Sequence, residues 1–326
     1  MKSYQKIILI VSMALLFTAV YFYLQRREDY TQRVHTVLIN ILKKQIDNEK
    51  AYAFNFAFAL SQNDTLQKAI IKNEAHKGYK ILREHMRALE VFSKSHMHAQ
   101  ILTTDMTIFA RSWDNTDAGL NVKKYRPDLD EILKEKKPHL AYEAARKLVL
   151  IASIPIVKEG KVIGIIEVIR RFSTLQKKLA KYDIDFIALL DDKFKANAVL
   201  LHNNPTIKHM IVANDDANVE HIRSLRQLDM EKLFTTGILE GKSHYFFSKS
   251  ILNHENEKIG YFVLIVSKKK LALFNEFEAQ MDSFFTYARK DLYYSLITHK
   301  QSDSPFSCLQ EKKAQKDDII VRGRIE

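Results

Sequence analysis

Cationic and aromatic residues are concentrated between positions 111 and 146, where they could form a binding pocket. Arg111 and Trp113 are two residues apart on a predicted strand, so their side chains share one face of it. A guanidinium binds a carboxylate through two hydrogen bonds, and aromatic rings provide flat apolar walls with polar edges. This combination favours a pocket for a small anionic or zwitterionic molecule. The candidate residues are Arg111, Trp113, Asp114, Tyr125, Arg126, Tyr142, Glu143 and Arg146.

The same charged residues have a purely structural interpretation. Arg111 and Arg126 could form ion pairs with Asp114, Asp128 or Glu143 and so hold the intervening loop in place. In that case the guanidiniums would serve the fold and no ligand would be required. The pattern alone leaves both interpretations open.

Two histidines on one strand raise the question of a metal site. His96 and His98 share a strand face and could begin such a site, with Asp105 or Glu143 as a third ligand. No second cluster of His or Cys completes the set, and a single cysteine, Cys308, excludes a zinc site that needs two thiolates. The sequence therefore predicts no metal and no cofactor.

Known catalytic signatures are missing from the sequence. It contains no Gly-x-Ser-x-Gly, no His-Glu-x-x-His and no phosphate-binding loop. Asp191 and Asp192 are adjacent, as are Asp215 and Asp216, so on a strand each pair would point to opposite faces. These carboxylates are typical of turns. We therefore expect no enzymatic activity, with an anchored hydrolase as the alternative.

The composition is typical of a globular protein large enough for two domains. The 326 residues are 46% hydrophobic and 28% charged. The formal net charge is +12, but Lys and Arg are dispersed among Asp and Glu, and no Cys-x-x-Cys zinc pattern is present. A basic, solvated surface is therefore favoured over a nucleic-acid partner.

The N-terminal region predicts a membrane anchor. Residues 7–24, IILIVSMALLFTAVYFYL, form a run of 18 residues without a charge. As a helix with a rise of about 1.5 Å per residue, this run nearly crosses a hydrocarbon core about 30 Å thick. No small-residue cleavage site follows it, so we expect it to be retained. Lys2 and Lys6 favour a cytoplasmic start at 1–6, which places the main domain in the periplasm or extracellular space.

A long helix is expected to continue from the anchor. Apolar residues recur at positions 30, 34, 37, 38, 41, 42 and 46, a helical spacing close to a heptad repeat. This stripe favours a homodimer or another signalling partner chain. A second helix with an N-cap signal at Asn63 is expected to follow, and its apolar face runs from Leu66 to Leu89.

Two stretches of sequence repeat the same hairpin pattern. They are IPIVKEGKVIGIIEVI at 154–169 and SILNHENEKIGYFVLIV at 250–266. In each, a charged turn separates two apolar strands, and Gly164 matches Gly260. A glycine here permits the close approach of a neighbouring backbone, or a bulge. The repeat predicts two antiparallel-sheet modules in series, each closed at its edge by this hairpin.

The predicted fold class is α+β, with helices at both ends of the two modules. The segments are a cytoplasmic start at 1–6, an anchor at 7–24, two helices within 26–92, a membrane-distal module at 93–182, a membrane-proximal module at 183–270, an amphipathic C-terminal helix at 271–300 and a polar tail at 301–326.

Several local motifs of the first module point to a known family. They are HMHAQILTTDMTIFARSWD, GLNVKKYRPDL, AYEAARK and IPIVKEGKVIGIIEV, all within residues 91–170. Together with the anchor, long helix and paired modules, they resemble the double Cache sensor domains of bacterial chemoreceptors and membrane-bound sensor enzymes. Ile151 and Ala152 stand where one branch of that family has Arg-Gly, and Ala145 replaces a glycine. This chain therefore lacks the arginine that this branch of the family has at that position.

The resemblance implies two PAS-like modules outside the cytoplasm, with a small-molecule ligand in the first. We therefore expect an anchored sensor, with a role in signal transduction such as chemotaxis, that relays ligand binding to a partner chain. The alternative is a scaffold or assembly protein that uses the same fold without a ligand. An open pocket would favour the sensor, and a pocket filled by side chains would favour the scaffold.

Overall fold

The computed structural model describes residues 3–93, 97–116 and 118–271 of the chain. The chain divides into two compact units, of which the first contains residues 1–40 and 267–326 and the second contains residues 41–266. All eight candidate site residues belong to the second unit. The predicted C-terminal helix, apart from residue 271, and the predicted tail lie outside the described residues.

Seven α-helices lie in the described part of the chain. They are α1 (Ser3–Ser61), α2 (Asp64–Ile71), α3 (Ala75–Ser93), α4 (Leu129–Glu135), α5 (Ser173–Ala180), α6 (Val219–Arg226) and α7 (Met230–Thr236). The predicted second helix is divided into α2 and α3. Asn63 caps α2 as expected, accepting a hydrogen bond from the Leu66 amide, and Asn73 then breaks the helix with a left-handed φ of 57°.

No helix in the described part of the chain is both long and apolar enough to cross a membrane. The anchor predicted at 7–24 is therefore not confirmed. The side chains of residues 7–9 lie outside the described residues.

The strands form two sheets in chain order. The first contains β1 (His98–Leu102), β2 (Ile108–Arg111), β3 (His139–Ala144), β4 (Leu148–Lys158) and β5 (Lys161–Arg170) in the order β2-β1-β5-β4-β3. The second contains β6 (Asp185–Asp191), β7 (Thr206–Ile207), β8 (Met210–Val212), β9 (Ile238–Glu240), β10 (His244–Leu252) and β11 (Lys258–Ser267) in the order β7-β8-β6-β11-β10-β9. We call the two sheets with their connecting elements module 1 and module 2.

The repeated hairpins form β4–β5 and β10–β11, which end the two modules as predicted. Their expected position at a sheet edge is wrong, because both hairpins lie inside their sheets with strands on either side. The matched glycines account for this position. A Cβ at Gly164 would lie 2.7 Å from the Leu102 carbonyl oxygen of β1, and one at Gly260 would lie 2.0 Å from the Leu189 oxygen of β6. Both glycines therefore permit close contact with a neighbouring strand, as predicted.

The two faces of the first sheet have different roles. Ile101, Ile154 and Ile166 point to one face and pack against Ala53 and Ala57 of α1, together with α2 and α3. On the opposite face, Leu102, Ile108 and Ile165 form a smaller core with the loop after β2 and with α4. This opposite face continues into the candidate site.

The apolar stripe predicted for self-association is buried within the single chain. In the first unit Tyr30, Val34 and Leu38 are at most 8% exposed, and in the second unit Ile41 and Leu42 are at most 3% exposed. A stripe covered in this way gives no support to a homodimer formed through it.

Candidate functional site

Module 1 contains a cavity of about 440 Å³ against one face of its sheet. Its lining comes from β1, from the loops after β2 and β3, from the start of β4 and from the residues that end β5. Module 2 contributes Leu200, whose amide donates a hydrogen bond to the Arg146 carbonyl oxygen. The lining residues are His98, Gln100, Arg111, Trp113, Asp114, Leu120, Val122, Tyr125, Arg126, Ala145, Arg146, Lys147, Val149, Ile151, Ile169, Arg171 and Leu200.

One face of the sheet forms the floor of the cavity, and the register of the strands explains which side chains lie on it. Gln100 pairs with Arg111 on β2 and with Glu167 on β5, while Val149 and Ile151 of β4 alternate onto the same face. The result is an apolar strip from β4 and β5 beside a polar strip from β1 and β2. Such a floor suits a molecule with one apolar part and one charged part.

Six of the eight predicted site residues line this cavity. Arg111 is buried, and its guanidinium carbon lies 5.1 Å from the centre of the Trp113 ring. The ring of His98 also contacts Trp113, edge to face, with the ring centres 4.8 Å apart. Trp113 is itself 40% exposed, so it forms a wall that solvent can reach. Tyr125 and Arg146 are half-buried on the cavity lining.

Asp114 is the sixth predicted residue on the lining. Its carboxylate accepts hydrogen bonds from the amide and hydroxyl of Thr116 at 2.8 and 2.7 Å. These hydrogen bonds hold the pKa of Asp114 below its ordinary value, so the side chain is an anion at neutral pH.

Arg126 belongs to a buried hydrogen-bond network beneath the cavity. It donates two hydrogen bonds to Asp128, at 2.8 and 2.6 Å, and a third to Glu167 at 2.6 Å. Glu167 is fully buried and also accepts hydrogen bonds from Ser153 and Gln100. Burial opposes the charge on Arg126, but the attraction of Glu167 and Asp128 outweighs it and raises the pKa. The structural interpretation thus holds for Arg126 and Asp128.

Gln100 joins this network to Arg111. The Arg111 Nε atom donates to the Gln100 amide oxygen at 3.0 Å, and the Gln100 amide nitrogen donates to Glu167. The carboxylates expected to pair with Arg111 and Arg126 were Asp114, Asp128 and Glu143. Arg111 bonds to the neutral Gln100 and also interacts electrostatically with the Asp114 carboxylate, so both a neutral and an anionic side chain accompany its charge at the cavity.

Tyr142 and Glu143 do not line the cavity. They are adjacent on β3, so their side chains point to opposite faces of the sheet and cannot both face one pocket. Tyr142 stacks with Phe172 at 5.9 Å and meets Phe262 edge to face at 5.2 Å. Its hydroxyl is buried, which raises the pKa of the phenol.

Glu143 faces the same side of the sheet as the cavity floor but contacts module 2 instead. Its carboxylate lies 2.9 Å from Nδ1 of His254 and accepts a hydrogen bond from the His254 amide at 3.2 Å. Burial, and after it the nearby Asp128 carboxylate, raise the pKa of Glu143.

The metal site considered around His96 and His98 includes a residue outside the described part of the chain and is not tested by the structure. His98 contacts Trp113, and His96 lies outside the described residues. Asp105 accepts hydrogen bonds from Thr103 and Thr107 in the tight turn between β1 and β2. These hydrogen bonds lower the pKa of Asp105, and through them its carboxylate stabilises the turn.

Several lining residues were absent from the sequence prediction. His98 and Gln100 share a strand face with each other, and that spacing could have identified them. Arg171 follows β5 directly and has no hydrogen bond or ion pair among the described residues. No local signal distinguishes Arg171 from other surface arginines, and Leu200 comes from a different module.

A family model described as the double sensory domain of two-component sensor kinases matches residues 31–271. The match covers well over half of the chain. The chain belongs to this family. It is a double Cache sensory domain of α+β fold, and its described part contains two antiparallel sheets, one in each module.

The chain is similar to several solved sensor domains at low sequence identity. The sensor domain of the V. cholerae histidine kinase DctB is 12% identical, with a TM-score of 0.44 over 72% of this chain and 96% of that one. The ligand-binding domain of the Campylobacter jejuni chemoreceptor Tlp3, solved with 4-methylisoleucine, is 14% identical, with a TM-score of 0.45 over 75% and 93%. That of the Pseudomonas fluorescens chemoreceptor CtaA, solved with L-isoleucine, is 13% identical, with a TM-score of 0.42 over 76% and 98%.

Similarity at this level supports no conclusion about the ligand of this chain. No curated protein sequence matches it.

Proposed function

We propose that the cavity of module 1 binds a small molecule with a carboxylate and an apolar side, and that binding is relayed through α1 to a partner chain. The observation that carries the proposal is the charge of the lining. Among the described residues, five cationic side chains and one carboxylate, Asp114, line the cavity, a formal excess of 5 − 1 = +4. A cleft lined by one sign of charge concentrates ligands of the opposite sign.

Two of the five cations already have carboxylate partners. Arg126 pairs with Asp128 and Glu167, and Lys147 pairs with Asp215 at 2.9 Å. The electrostatic field of these two side chains inside the cavity is therefore reduced. The other three lining cations are Arg111, Arg146 and Arg171. An arginine binds a carboxylate through two parallel hydrogen bonds, which would fix the orientation of the ligand. The five cationic residues on the lining are Arg111, Arg126, Arg146, Lys147 and Arg171.

The apolar side chains on the floor of the cavity indicate that one part of the proposed ligand is apolar. Val149, Ile151 and Ile169 supply branched aliphatic surface, and Trp113 and Tyr125 supply aromatic walls. The volume of about 440 Å³ lies within the range of small-molecule sites. An open cavity of this kind favours a ligand-binding domain over a scaffold, whose pocket would be filled by side chains.

The relay begins at the end of β5. Arg170, the last residue of β5, forms a buried ion pair with Glu49 of α1, and Lys178 of α5 binds the same carboxylate at 2.7 Å. The next residue, Arg171, lines the cavity. A ligand that attracts Arg171 would therefore pull on the strand end that holds α1. The family description, a sensory domain of sensor kinases, supports transfer of the signal to another domain or chain.

The membrane part of the proposal rests on the N-terminal segment. Residues 7–24 carry no charge, and within them Leu15, Phe17 and Phe22 are 64–68% exposed in the first unit. We propose that this segment holds the sensory domain outside the cytoplasm. Carbonate extraction of cell membranes tests this part, since release of the full chain into the soluble fraction would refute it.

A matched series of four compounds tests the ligand class. The series is 3-methylbutyrate, its uncharged amide, the corresponding amine and L-leucine, each added to the full chain in a thermal-unfolding assay. We expect stabilisation by 3-methylbutyrate or L-leucine and none by the amide or the amine, because only the first two carry a carboxylate. Stabilisation by the amine would refute the assigned charge.

Two variants complete this test. Arg171→Ala should weaken binding of the stabilising carboxylate, while Arg223→Ala, an exposed arginine of module 2 paired with Glu220, should leave binding unchanged. If none of the four compounds, nor a wider set of organic acids, stabilises the folded chain, the scaffold alternative is favoured.

A further inference from the structure

A second cluster of side chains lies where the two modules meet. Asp128 precedes α4, Glu143 lies in β3, and His254 lies in the turn between β10 and β11. Each offers one ligand atom, and the three atoms lie within 4.8 Å of one another. Their side chains are only 3%, 12% and 12% exposed, so water reaches the cluster poorly. None of the three lines the cavity of module 1.

The charges around this cluster do not balance. Arg126 interacts with three carboxylates, those of Glu167, Asp128 and Glu143. Gln100 links Glu167 to the buried guanidinium of Arg111, so with both arginines counted and the histidines uncharged the buried group has a formal charge of 2 − 3 = −1. A buried negative charge without a partner is costly. Glu143 and Asp128 are both largely buried, and each offers one ligand atom within 4.8 Å of the other, so two carboxylates lie close together here. An additional cation would stabilise the arrangement.

A second histidine extends the cluster. His139 begins β3, four residues before Glu143, so the two side chains point to the same face of the sheet. The rings of His139 and His254 stack at 5.7 Å. The Nδ1 atom of His139 is buried and has no hydrogen-bond partner in the described ranges 3–93, 97–116 and 118–271. This buried imidazole nitrogen therefore lies on a ring that stacks against one member of the cluster, His254.

We propose that Asp128, Glu143 and His254 bind a divalent transition-metal cation, beside the stacked ring of His139. Imidazole with carboxylate oxygens is a donor set that suits Zn²⁺ and Mn²⁺. Ligand atoms about 2.1 Å from a zinc ion lie at most about 4.2 Å apart, so the cluster needs only small side-chain adjustments to close on the ion. The ion would replace the direct contact between Glu143 and His254.

The position of the cluster determines what the ion would do. Asp128 and Glu143 belong to module 1 and His254 belongs to module 2, so one ion would join the two modules. The site is distinct from the proposed carboxylate cavity and does not depend on it. The other cation that could balance the charge is a proton on a histidine, and the experiment below distinguishes the two.

Metal binding to the full chain tests the proposal directly. The chelator-treated, dialysed chain is titrated with ZnCl₂ and, separately, with MnCl₂ and CaCl₂, and bound metal is measured by calorimetry and elemental analysis. We expect about one equivalent of Zn²⁺ or Mn²⁺ per chain, binding tighter than Ca²⁺, and a higher thermal midpoint with the metal.

Matched variants separate this site from non-specific binding to surface histidines. His254→Gln should weaken binding at least about tenfold, because loss of a ligand costs no less than loss of an outer-sphere partner. His209→Gln alters an exposed histidine of module 2 and should bind like the wild type. Glu143→Gln is a second test, because glutamine keeps an acceptor for the His254 amide but loses the charge.

Three results would overturn the proposal. These are the absence of binding at millimolar metal, equal binding by His254→Gln and His209→Gln, or equal binding by Glu143→Gln and the wild type. A chain that binds no metal but loses stability as the pH is raised through the histidine range would assign the balancing charge to a proton instead.

Discussion

Replacing Arg126 with alanine tests whether this predicted ligand-binding residue acts mainly within the fold. The substitution removes every hydrogen bond that the guanidinium donates to Asp128, Glu167 and Ser153. It leaves the carboxylates of Glu167 and Asp128, 0% and 3% exposed, without their cation. Removing one partner of a buried ion pair typically costs about 3–5 kcal/mol, because the remaining charge stays buried.

This free energy converts to a measurable change in melting temperature. The unit that contains Arg126 has 266 − 41 + 1 = 226 residues. For a unit of this size, 1 kcal/mol shifts the midpoint by roughly 2–4 °C, so Arg126→Ala should lower it by roughly 6–20 °C. Circular dichroism of the full chain during heating, at constant pH and with a chelator present, measures the shift.

Two further variants test the cause. Arg126→Ala combined with Glu167→Gln should recover part of the loss, because the second change removes one of the buried charges. Arg223→Ala breaks an ion pair whose side chains are 65% and 73% exposed, so it should change stability by no more than about 1 kcal/mol. The reasoning fails if Arg126→Ala melts within about 2 °C of the wild type, or if the double variant is less stable than the single one.

Two other predictions concern the repeated hairpin and the relay. Gly164→Ala and Gly260→Ala should each cost about 1–3 kcal/mol in chemical denaturation, with the larger loss at Gly260, where the added methyl would lie 2.0 Å rather than 2.7 Å from a neighbouring carbonyl oxygen. Glu49→Gln should preserve carboxylate binding in the cavity but abolish the ligand-induced change in hydrogen exchange of residues 41–61, because it weakens the contact of Arg170 with α1.

Each of these predictions has its own control. Gly160→Asn changes a turn glycine with a left-handed φ of 76° and no neighbour within 4 Å, so it should be tolerated. A larger loss for Gly164→Ala than for Gly260→Ala would contradict the steric argument. For the relay, Lys193→Gln alters an exposed ion pair of module 2 and should leave the exchange of α1 unchanged. A normal ligand response in Glu49→Gln would exclude the Glu49–Arg170 route.

The local elements of this chain could be predicted because their signals are local. Asn63 caps a helix, and the apolar runs beside Gly164 and Gly260 form hairpins, since these outcomes depend on a few neighbouring residues. α6 and α7 follow Asn218 and Asp229, whose side chains cap them, but both helices were missing from the prediction. They are short, and a single helical turn or two leaves little periodicity to detect.

The candidate site was predicted only in part, because side-chain direction depends on the exact bounds of each strand. Arg111 and Trp113 line a cavity, whereas Glu143 points toward His254, which is 111 residues away. Tyr142 points to the opposite face of the sheet. The ligand-binding role of the lining residues stays a prediction.

The sequence by itself determined the fold class, the two modules and the concentration of arginines and aromatics in the first one, because these depend on composition and short-range periodicity. Only the tertiary structure decided which arginines balance buried carboxylates and which line a cavity. It also decided that Asp128, Glu143 and His254 meet between the modules. Both outcomes depend on sheet order and on contacts between residues distant in sequence, and spacing along the chain does not encode them.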